Sequence, residues 1–201
     1  MPVAPLPAPP AGKLRQVVTW LEMTAPPWGD GPPPANPAPC GDVAVVRFDA
    51  LSVADYRALQ RLIGEAWLWW ERLTVGDAAL AALLADPGTE IRRLTVGGTV
   101  AGFSELDRRR PGEVELSFFG VAPPFIGLGL GRYLLAETLA AAWAVRPRRV
   151  WLHTCDHDHP QALGFYGRAG FRPYRRETVL IDDPRRLGLL PLDAAPHVPL
   201  A

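Results

Sequence analysis

Three glycines stand at alternate positions just before a helix-like stretch, in the segment FIGLGLGRYLL from Phe125 to Leu135. Gly127, Gly129 and Gly131 could allow positive φ angles and let a ligand approach the backbone closely. The first N–H groups of a helix lack partners inside the helix, and the helix dipole favours negative charge at that end. The stretch therefore predicts an anion site, of the kind that holds a phosphate.

Two common phosphate-binding motifs do not fit this stretch. A P-loop needs a lysine followed by serine or threonine after its last glycine, whereas Arg132 and Tyr133 follow here. The dinucleotide fingerprint is GxGxxG with an acidic residue about 20 residues later. Here the spacing is GxGxG, and the corresponding region, Arg146–Arg149, is basic. A tight strand-to-helix turn without a ligand stays open on this stretch alone.

A third pattern does fit. The segment VAPPFIGLGLGRYLL resembles the acyl-CoA pyrophosphate loop of the GNAT (Gcn5-related N-acetyltransferase) superfamily. Val121, Pro123, Gly129 and Gly131 hold the positions that the family uses. Ile126 stands where an arginine or glutamine is usual, which removes one polar contact but leaves the backbone N–H groups.

A second segment, HPQALGFYGRAGFRPY at 159–174, resembles the other signature of the same superfamily. Ala162, Phe165, Tyr166 and Gly170-Phe171 match its positions, and His159 stands where asparagine is usual. The two segments occur in the order that the family shows, and together they cover about Val114–Tyr174. Together with LHTC at 152–155 and DHP at 158–160, these residues are similar to the sequences of a bacterial subgroup of the superfamily.

The resemblance implies an α/β (α+β) fold with a mixed central sheet, splayed central strands and helices on both faces. It implies acetyl-CoA as the cofactor, bound mainly by backbone groups between about Ser117–Val121 and Trp151–Thr154. The cofactor-binding residues that it implies are Phe119, Gly120, Val121, Ile126, Gly127, Leu128, Gly129, Leu130, Gly131, Arg132, His159 and Tyr166.

Tyr166 is the candidate general acid, because the family places this tyrosine next to the cofactor sulfur. His159, Leu163 and Tyr166 are spaced at i, i+4 and i+7, which predicts that they share one helix face. The alternative is a core tyrosine that only packs its ring.

Acetyl transfer also needs a neutral amine, and amines with a pKa near ~10 are mostly charged at neutral pH. Glu105 and Glu115 are the candidate bases. Alternation along Val100–Leu106 places Phe103, Glu105 and Asp107 on one face, and alternation along the next strand places Glu115, Ser117 and Phe119 on one face. Solvated acidic groups at a sheet edge are the alternative for each glutamate.

Trp69 and Trp70 are candidates for an acceptor-pocket wall, and core packing is the alternative for tryptophans in GEAWLWWERL. In HTCDHDHP, the alternating His153, Cys155, His157 and His159 match no zinc-ligand spacing, so we predict no metal site. The residue before Pro160 is expected to cap the helix that follows.

The coarse pattern alternates strands and helices. Val114–Val121, a helix and Arg149–Thr154 form a crossover whose two strands should be parallel. The further predicted strands are 15–23, 43–48, 91–96, 100–106 and 172–181. The further predicted helices are one capped by Ser52, one at about 76–84 and one at about 160–169.

Composition sets the remaining limits. The 201 residues suit a single domain spanning 1–201, with proline-rich segments at 1–12 and 24–40 and a tail at 184–201 that could pack on its own domain or on a partner. Lys+Arg and Asp+Glu are 21 each, so neither nucleic acid nor a membrane surface is predicted as a partner. Cys40 and Cys155 indicate no disulfide framework, and no signal peptide is evident, so a cytoplasmic location is expected.

The sequence thus predicts an acetyl-CoA-dependent N-acetyltransferase that transfers the acetyl group directly to a primary amine in a ternary complex. The alternative is a non-catalytic acyl-CoA-binding or sensor module on the same fold. The acceptor is a small-molecule amine or a protein amine, and a homodimer stays open.

Overall fold

The computed structural model describes residues 8–39 and 41–201, so Cys40 and the first part of the proline-rich 1–12 lie outside the described residues. The described part contains seven strands. In chain order β1 to β7 are Lys13–Met23, Val43–Arg47, Thr89–Val96, Thr99–Asp107, Glu113–Val121, Arg149–Cys155 and Arg172–Asp182. Its α-helices α1 to α4 are Val53–Gly64, Asp77–Ala85, Leu130–Ala144 and Ala162–Arg168.

The strands form one mixed sheet in the order β2-β3-β4-β5-β6-β1-β7. Only β5 and β6 pair in parallel, and every other neighbouring pair is antiparallel. This confirms the predicted mixed sheet and the parallel crossover around the glycine loop. The strand that comes first in the chain, β1, lies between β6 and β7, a position that its sequence does not indicate.

Helices cover both faces of the sheet, as predicted. Phe103 of β4 is buried in a cluster with Tyr56 and Ile63 of α1. The next residue, Ser104, is hydrogen-bonded to Thr138 of α3 at 2.8 Å. Because successive side chains of a strand point to opposite faces, α1 and α3 pack on opposite sides. α2 adds Leu80 to the α1 cluster, and α4 adds Tyr166 to a cluster that α3 also lines.

The first helix begins where the sequence predicts. The Ser52 hydroxyl accepts a hydrogen bond from the Asp55 backbone N–H at 3.1 Å, which satisfies one donor of the first turn. The helix ends at Gly64, and Glu65–Trp67 continues as a 3₁₀ turn. Trp67 therefore does not extend the buried helix face formed by Tyr56, Leu59 and Ile63.

Two segments without regular structure lie against the sheet and its helices. The described part of the proline-rich loop, 24–39, contains no helix or strand, and Asn36 is hydrogen-bonded to Tyr133 and Glu137 of α3. The segment after β7, residues 183–201, is called the tail segment below. It packs on its own chain in a cluster with Leu14 and Ile181. Among the described helices, none combines the length and the apolar character that crossing a membrane requires.

Candidate active site

The sheet opens between its two parallel strands. β5 and β6 are paired only from Glu113–Arg149 to Glu115–Trp151, and beyond that point they separate. A cavity of about 1020 Å³ fills the gap, and it runs from the glycine loop to the exposed sides of β1 and β7. Among the described residues, the backbone edge of β5 that faces this gap has no partner strand, so its N–H and C=O groups can pair with an extended ligand.

The glycine loop forms one end of the cavity. Gly127 and Gly129 have φ angles of +88° and +80°, a left-handed conformation that other residues adopt only with strain. Gly129 is the N-cap of α3, and no side chain of the described residues caps this helix. Within the described part of the chain, the backbone N–H groups from Gly127 to Gly131 have no acceptor. The loop thus presents unpaired donors at a helix N-terminus, which suits a phosphate.

The side chains of the predicted cofactor residues are divided between the cavity and its surroundings. Leu128 is 60% exposed and Leu130 is buried, and neither residue lines the cavity. The predicted residues that line the cavity are Phe119, Gly120, Val121, Ile126, Gly127, Gly129, Gly131, Arg132, His159 and Tyr166.

Gly120 is required by packing. A Cβ atom at this position would lie 2.4 Å from Ile63 Cγ2 and 3.1 Å from Trp69 Cη2. The absence of a side chain lets α1 and the indole of Trp69 approach the strand closely. This close approach brings the Trp69 indole, which also lines the cavity, against the C-terminal end of β5.

Tyr166 lines the cavity from α4. Its ring packs edge-on against Phe119, Phe165 and Phe171, and its exposed fraction is 8%. No described residue is hydrogen-bonded to its hydroxyl. Burial, with a smaller contribution from the Asp158 carboxylate, raises the pKa of Tyr166 above its ordinary value, so the hydroxyl stays protonated.

His159 reaches the cavity from a different place than predicted. α4 begins at Ala162, so His159 lies before the helix, where its Nδ1 accepts a hydrogen bond from the Gln161 backbone N–H at 3.1 Å. Leu163 is 47% exposed and does not share the buried face of Tyr166. The predicted common helix face is therefore wrong, although His159 and Tyr166 both line the cavity.

The two candidate bases have very different surroundings. Glu105 is completely buried and does not line the cavity. Its carboxylate accepts a hydrogen bond from Arg72 at 2.5 Å and another from the Tyr56 hydroxyl. Since both oxygens are occupied, Glu105 has the environment of a structural ion pair.

Glu115 lies at the fork where β5 and β6 separate, and it lines the cavity. No described residue donates a hydrogen bond to its carboxylate. Burial raises the pKa of Glu115 to about 7, and the negative charge of Asp107 adds to this effect while Arg110 opposes it. A carboxylate with this pKa can accept a proton near neutral pH.

A bulge changes which side chains share the face of Glu115. Glu105 is paired with Phe118 but Leu106 is paired with Leu116, so Ser117 is an extra residue in β5. The face of Glu115 therefore continues in Phe118, which packs on the α1 side, whereas Phe119 packs on the α3 side. The predicted common face of Glu115, Ser117 and Phe119 is wrong for this reason.

The tryptophans of GEAWLWWERL have separate positions. Trp69 lines the cavity and packs against Phe118, with ring centroids 5.2 Å apart. Trp70 lies outside the cavity and packs against the tail segment. Trp67 lines the cavity in its place.

The comparisons with known proteins agree with this geometry. A sequence model of the acetyltransferase (GNAT) family matches residues 54–171, which is more than half of the chain. The chain belongs to the GNAT family of N-acetyltransferases. It is 36% identical over 139 residues to the N-alpha-acetyltransferase RimI of Mycobacterium tuberculosis, a match that covers 65% of this chain and 81% of that protein.

Other relatives extend beyond the region that they share with this GNAT chain. The mycothiol acetyltransferase of Salinispora tropica is 31% identical over 137 residues, which are 67% of this chain but 41% of that protein. A GCN5-related N-acetyltransferase from Sphaerobacter thermophilus has the same fold, with a TM-score of 0.60, 23% identity and coverage of 82% of this chain and 50% of that one.

Asp158 also lines the cavity, and the sequence did not indicate it as a site residue. Its carboxylate accepts hydrogen bonds from the Thr154 hydroxyl at 2.8 Å, the Cys155 backbone N–H at 2.9 Å and the Trp69 indole N–H at 3.1 Å. It therefore joins the end of β6 to the tryptophan wall. The sequence indicated only a helix cap at the residue before Pro160, which is His159, whereas α4 begins at Ala162 with Gln161 as its N-cap.

The alternating histidines and cysteine do not converge. His157 is buried and hydrogen-bonded to the Arg15 carbonyl, whereas His153 faces Glu115. Cys155 accepts a hydrogen bond from the Gln16 amide, and burial together with Asp158 raises the pKa of its thiol to about 12. Among the described residues, no group of three or more His, Cys, Asp or Glu side chains could hold a metal ion.

Proposed function

We propose that the protein transfers the acetyl group of acetyl-CoA directly to a primary amine, with both substrates bound in the open fork of the sheet. One observation carries the proposal: Glu115 and Tyr166 line the same cavity as the glycine loop. A base with a pKa near neutrality and a protonated hydroxyl are the two groups that this reaction requires.

The chain offers a fitting site for acetyl-CoA, which supplies the acetyl group as a thioester. The unpaired N–H groups from Gly127 to Gly131 suit the pyrophosphate, and Arg132 is an exposed cation beside them. The free edge of β5 at Phe119, Gly120 and Val121 can pair with the amides of an extended arm. A backbone N–H of this edge is also placed to stabilise negative charge on the thioester oxygen.

Glu115 acts on the acceptor. Its carboxylate takes one proton from the ammonium group, so that the nitrogen lone pair can form the new C–N bond. Tyr166 gives its hydroxyl proton to the sulfur as the C–S bond breaks, and it regains a proton that the nitrogen loses on forming the amide. Glu115 returns its proton to solvent, so one proton is released for each ammonium that is acetylated.

Cys155 supports direct transfer. A thiol with a pKa of about 12 is almost entirely protonated at neutral pH, and the thiolate is the nucleophilic form. The amide of Gln16 donates to its sulfur and cannot act as a base. An acetylated cysteine is therefore not a step of the proposed mechanism.

The acceptor belongs to the class of primary amines. The name of the RimI relative, N-alpha-acetyltransferase, favours a free α-amino group as the first acceptor to test. The cavity wall formed by Trp20, Trp67 and Trp69 favours an acceptor with an apolar or aromatic part beside its amine.

The test is a turnover assay that follows thiol release from acetyl-CoA and confirms the acetylated product by mass spectrometry. The amines are the tripeptide Ala-Phe-Ala, phenethylamine and spermidine. We expect acetylation of at least one amine, lowered by about 10²-fold or more in Glu115→Gln and retained in Glu113→Gln, a matched change on the same strand. Binding of acetyl-CoA with no turnover across a broad amine panel would favour the acyl-CoA sensor.

A further inference from the structure

The acceptor wall of the cavity depends on a short irregular segment. Residues 65–73, called the acceptor loop below, consist mainly of two 3₁₀ turns, Glu65–Trp67 and Glu71–Leu73. They carry Trp67 and Trp69, which line the cavity. Short 3₁₀ turns supply few backbone hydrogen bonds, so contacts from outside must fix the shape of the loop.

Leu68 is the residue at which the acceptor loop turns. It has a φ of +58°, in the left-handed region that a residue with a branched side chain rarely adopts. Such a conformation persists only when the surroundings impose it. Leu68 is 4% exposed, and it stands between the two tryptophans that face the cavity.

The surroundings that hold Leu68 are supplied by the tail segment. Leu68 is buried in a cluster with Leu190, Ala194 and Val198 of that segment, and Trp70 and Leu73 of the acceptor loop pack on the same cluster. The tail segment thus packs on the acceptor loop through Leu68, Trp70 and Leu73, and of these Leu68 also lines the cavity.

A buried ion pair fixes the tail segment in this position. Arg185 and Asp183 are 4% and 0% exposed, and Arg185 Nη2 lies 2.8 Å from Asp183 Oδ2. Arg185 also donates to the carbonyls of Ala194, Val198 and Pro199 at 3.1, 2.9 and 2.9 Å. Because a buried guanidinium is tolerated only when its donors are satisfied, these bonds set the path of residues 194–199.

A second contact reaches the cavity directly. The His197 ring lies 5.3 Å from the Trp67 ring, and His159 packs on Trp67 at 5.2 Å. His197 Nε2 donates to the His157 carbonyl at 2.8 Å, in the turn that leads to α4. Trp67 is therefore held between a histidine of the cofactor side and a histidine of the tail segment.

We propose that the tail segment is a buttress for acceptor recognition, and that Leu68 is the positioning residue through which it sets the orientation of Trp67 and Trp69. The acceptor role of these tryptophans rests on the proposed function. Leu68 lies on the acceptor loop and belongs neither to the glycine loop nor to β5, so the buttress acts on the acceptor side of the cavity rather than on the acetyl-CoA side.

Two matched leucines of the tail segment provide the test. Leu190 is buried in the cluster, whereas Leu192 is 63% exposed, so Leu192→Ala is the control for Leu190→Ala. Hydrogen exchange of each full-length protein would be measured by mass spectrometry. We expect Leu190→Ala and Leu68→Ala to accelerate exchange of residues 67–73 at least tenfold, with residues 130–144 unchanged. Equal exchange in all variants, or acceleration throughout the chain, would overturn the buttress.

Turnover of Ala-Phe-Ala gives the second readout. We expect Leu190→Ala, which changes no residue of the cavity lining, to raise the KM for the tripeptide at least fivefold, with kcat and the acetyl-CoA Kd within twofold of wild type, and Leu68→Ala to raise this KM at least as much. An unchanged KM would overturn the proposal. If wild-type protein does not acetylate the tripeptide, the tripeptide is excluded as an acceptor in the proposed function. The hydrogen-exchange experiment then still tests whether the tail segment holds the acceptor loop.

Discussion

Glu115 Oε1 lies 3.8 Å from His153 Nδ1, across the fork where β5 and β6 separate. This distance is too long for a hydrogen bond, so the carboxylate faces the cavity without a direct partner among the described residues. An ammonium group entering the cavity meets this carboxylate at the point where the strands part. The relationship makes Glu115, rather than Glu105, the proposed base.

Replacing Glu115 with glutamine should remove the base while keeping the shape of the fork. Glu115 has a pKa of about 7, so the active, ionised form increases as the pH rises through 7. We expect kcat/KM of the wild type to rise with pH and to level off above about pH 8. Glu115→Gln should lower kcat/KM by about 10²–10⁴-fold and abolish the rise of kcat/KM with pH. A variant that keeps the wild-type pH profile would exclude Glu115 as the base.

Tyr166→Phe should separate chemistry from packing. The ring contacts remain, and no described residue loses a hydrogen bond, so the unfolding midpoint should stay close to that of wild type. We expect kcat to fall by about 10²-fold or more, with the acetyl-CoA Kd unchanged. Tyr174→Phe, at an exposed tyrosine outside the cavity, is the control. The general-acid role is wrong if kcat of Tyr166→Phe equals that of wild type at every pH.

Glu105→Gln should affect stability. Glu105 neutralises Arg72, whose guanidinium is mostly buried, and it is hydrogen-bonded to Tyr56. Removing one partner of a buried pair leaves an uncompensated charge, which costs about 3–5 kcal/mol. Urea unfolding should show a loss of this size, while the pH–rate midpoint stays near 7. A shifted midpoint with unchanged stability would instead favour Glu105 as the base.

Gly129→Ala should weaken cofactor binding through the backbone. Alanine at a φ of +80° costs about 1–2 kcal/mol, and relief of that strain would move the N–H groups of the loop. We expect the acetyl-CoA Kd to rise about tenfold or more. Gly12→Ala imposes similar strain at a φ of +76°, at a residue that does not line the cavity, and should leave the Kd unchanged. Equal effects of the two changes would indicate general destabilisation.

The sequence predicted the elements near the cavity well, because local patterns determine them. The glycine loop, α3 and the tyrosine of α4 are encoded by residues close together in the chain. The parallel pairing of β5 and β6 follows from the handedness of the crossover. The fork itself was implied by the family resemblance.

Features set by distant contacts were not predicted. The position of β1 between β6 and β7 depends on pairing across more than 100 residues. The bulge at Ser117 shifts a period-two pattern by one residue, which moves later side chains to the other face. Trp67 lines the cavity and Trp70 does not, because α1 stops at Gly64 and Leu68 reverses the chain.

The most direct test of the proposed acetyl-CoA site is a calorimetric titration of the protein with acetyl-CoA, with NAD as the control. If the glycine loop and the open fork form an acetyl-CoA site, acetyl-CoA binds one to one in the micromolar range and NAD does not bind. Absence of acetyl-CoA binding, measured by heat and by competition, would contradict acetyl-CoA as the cofactor. The glycine loop would then be only a turn between a strand and a helix.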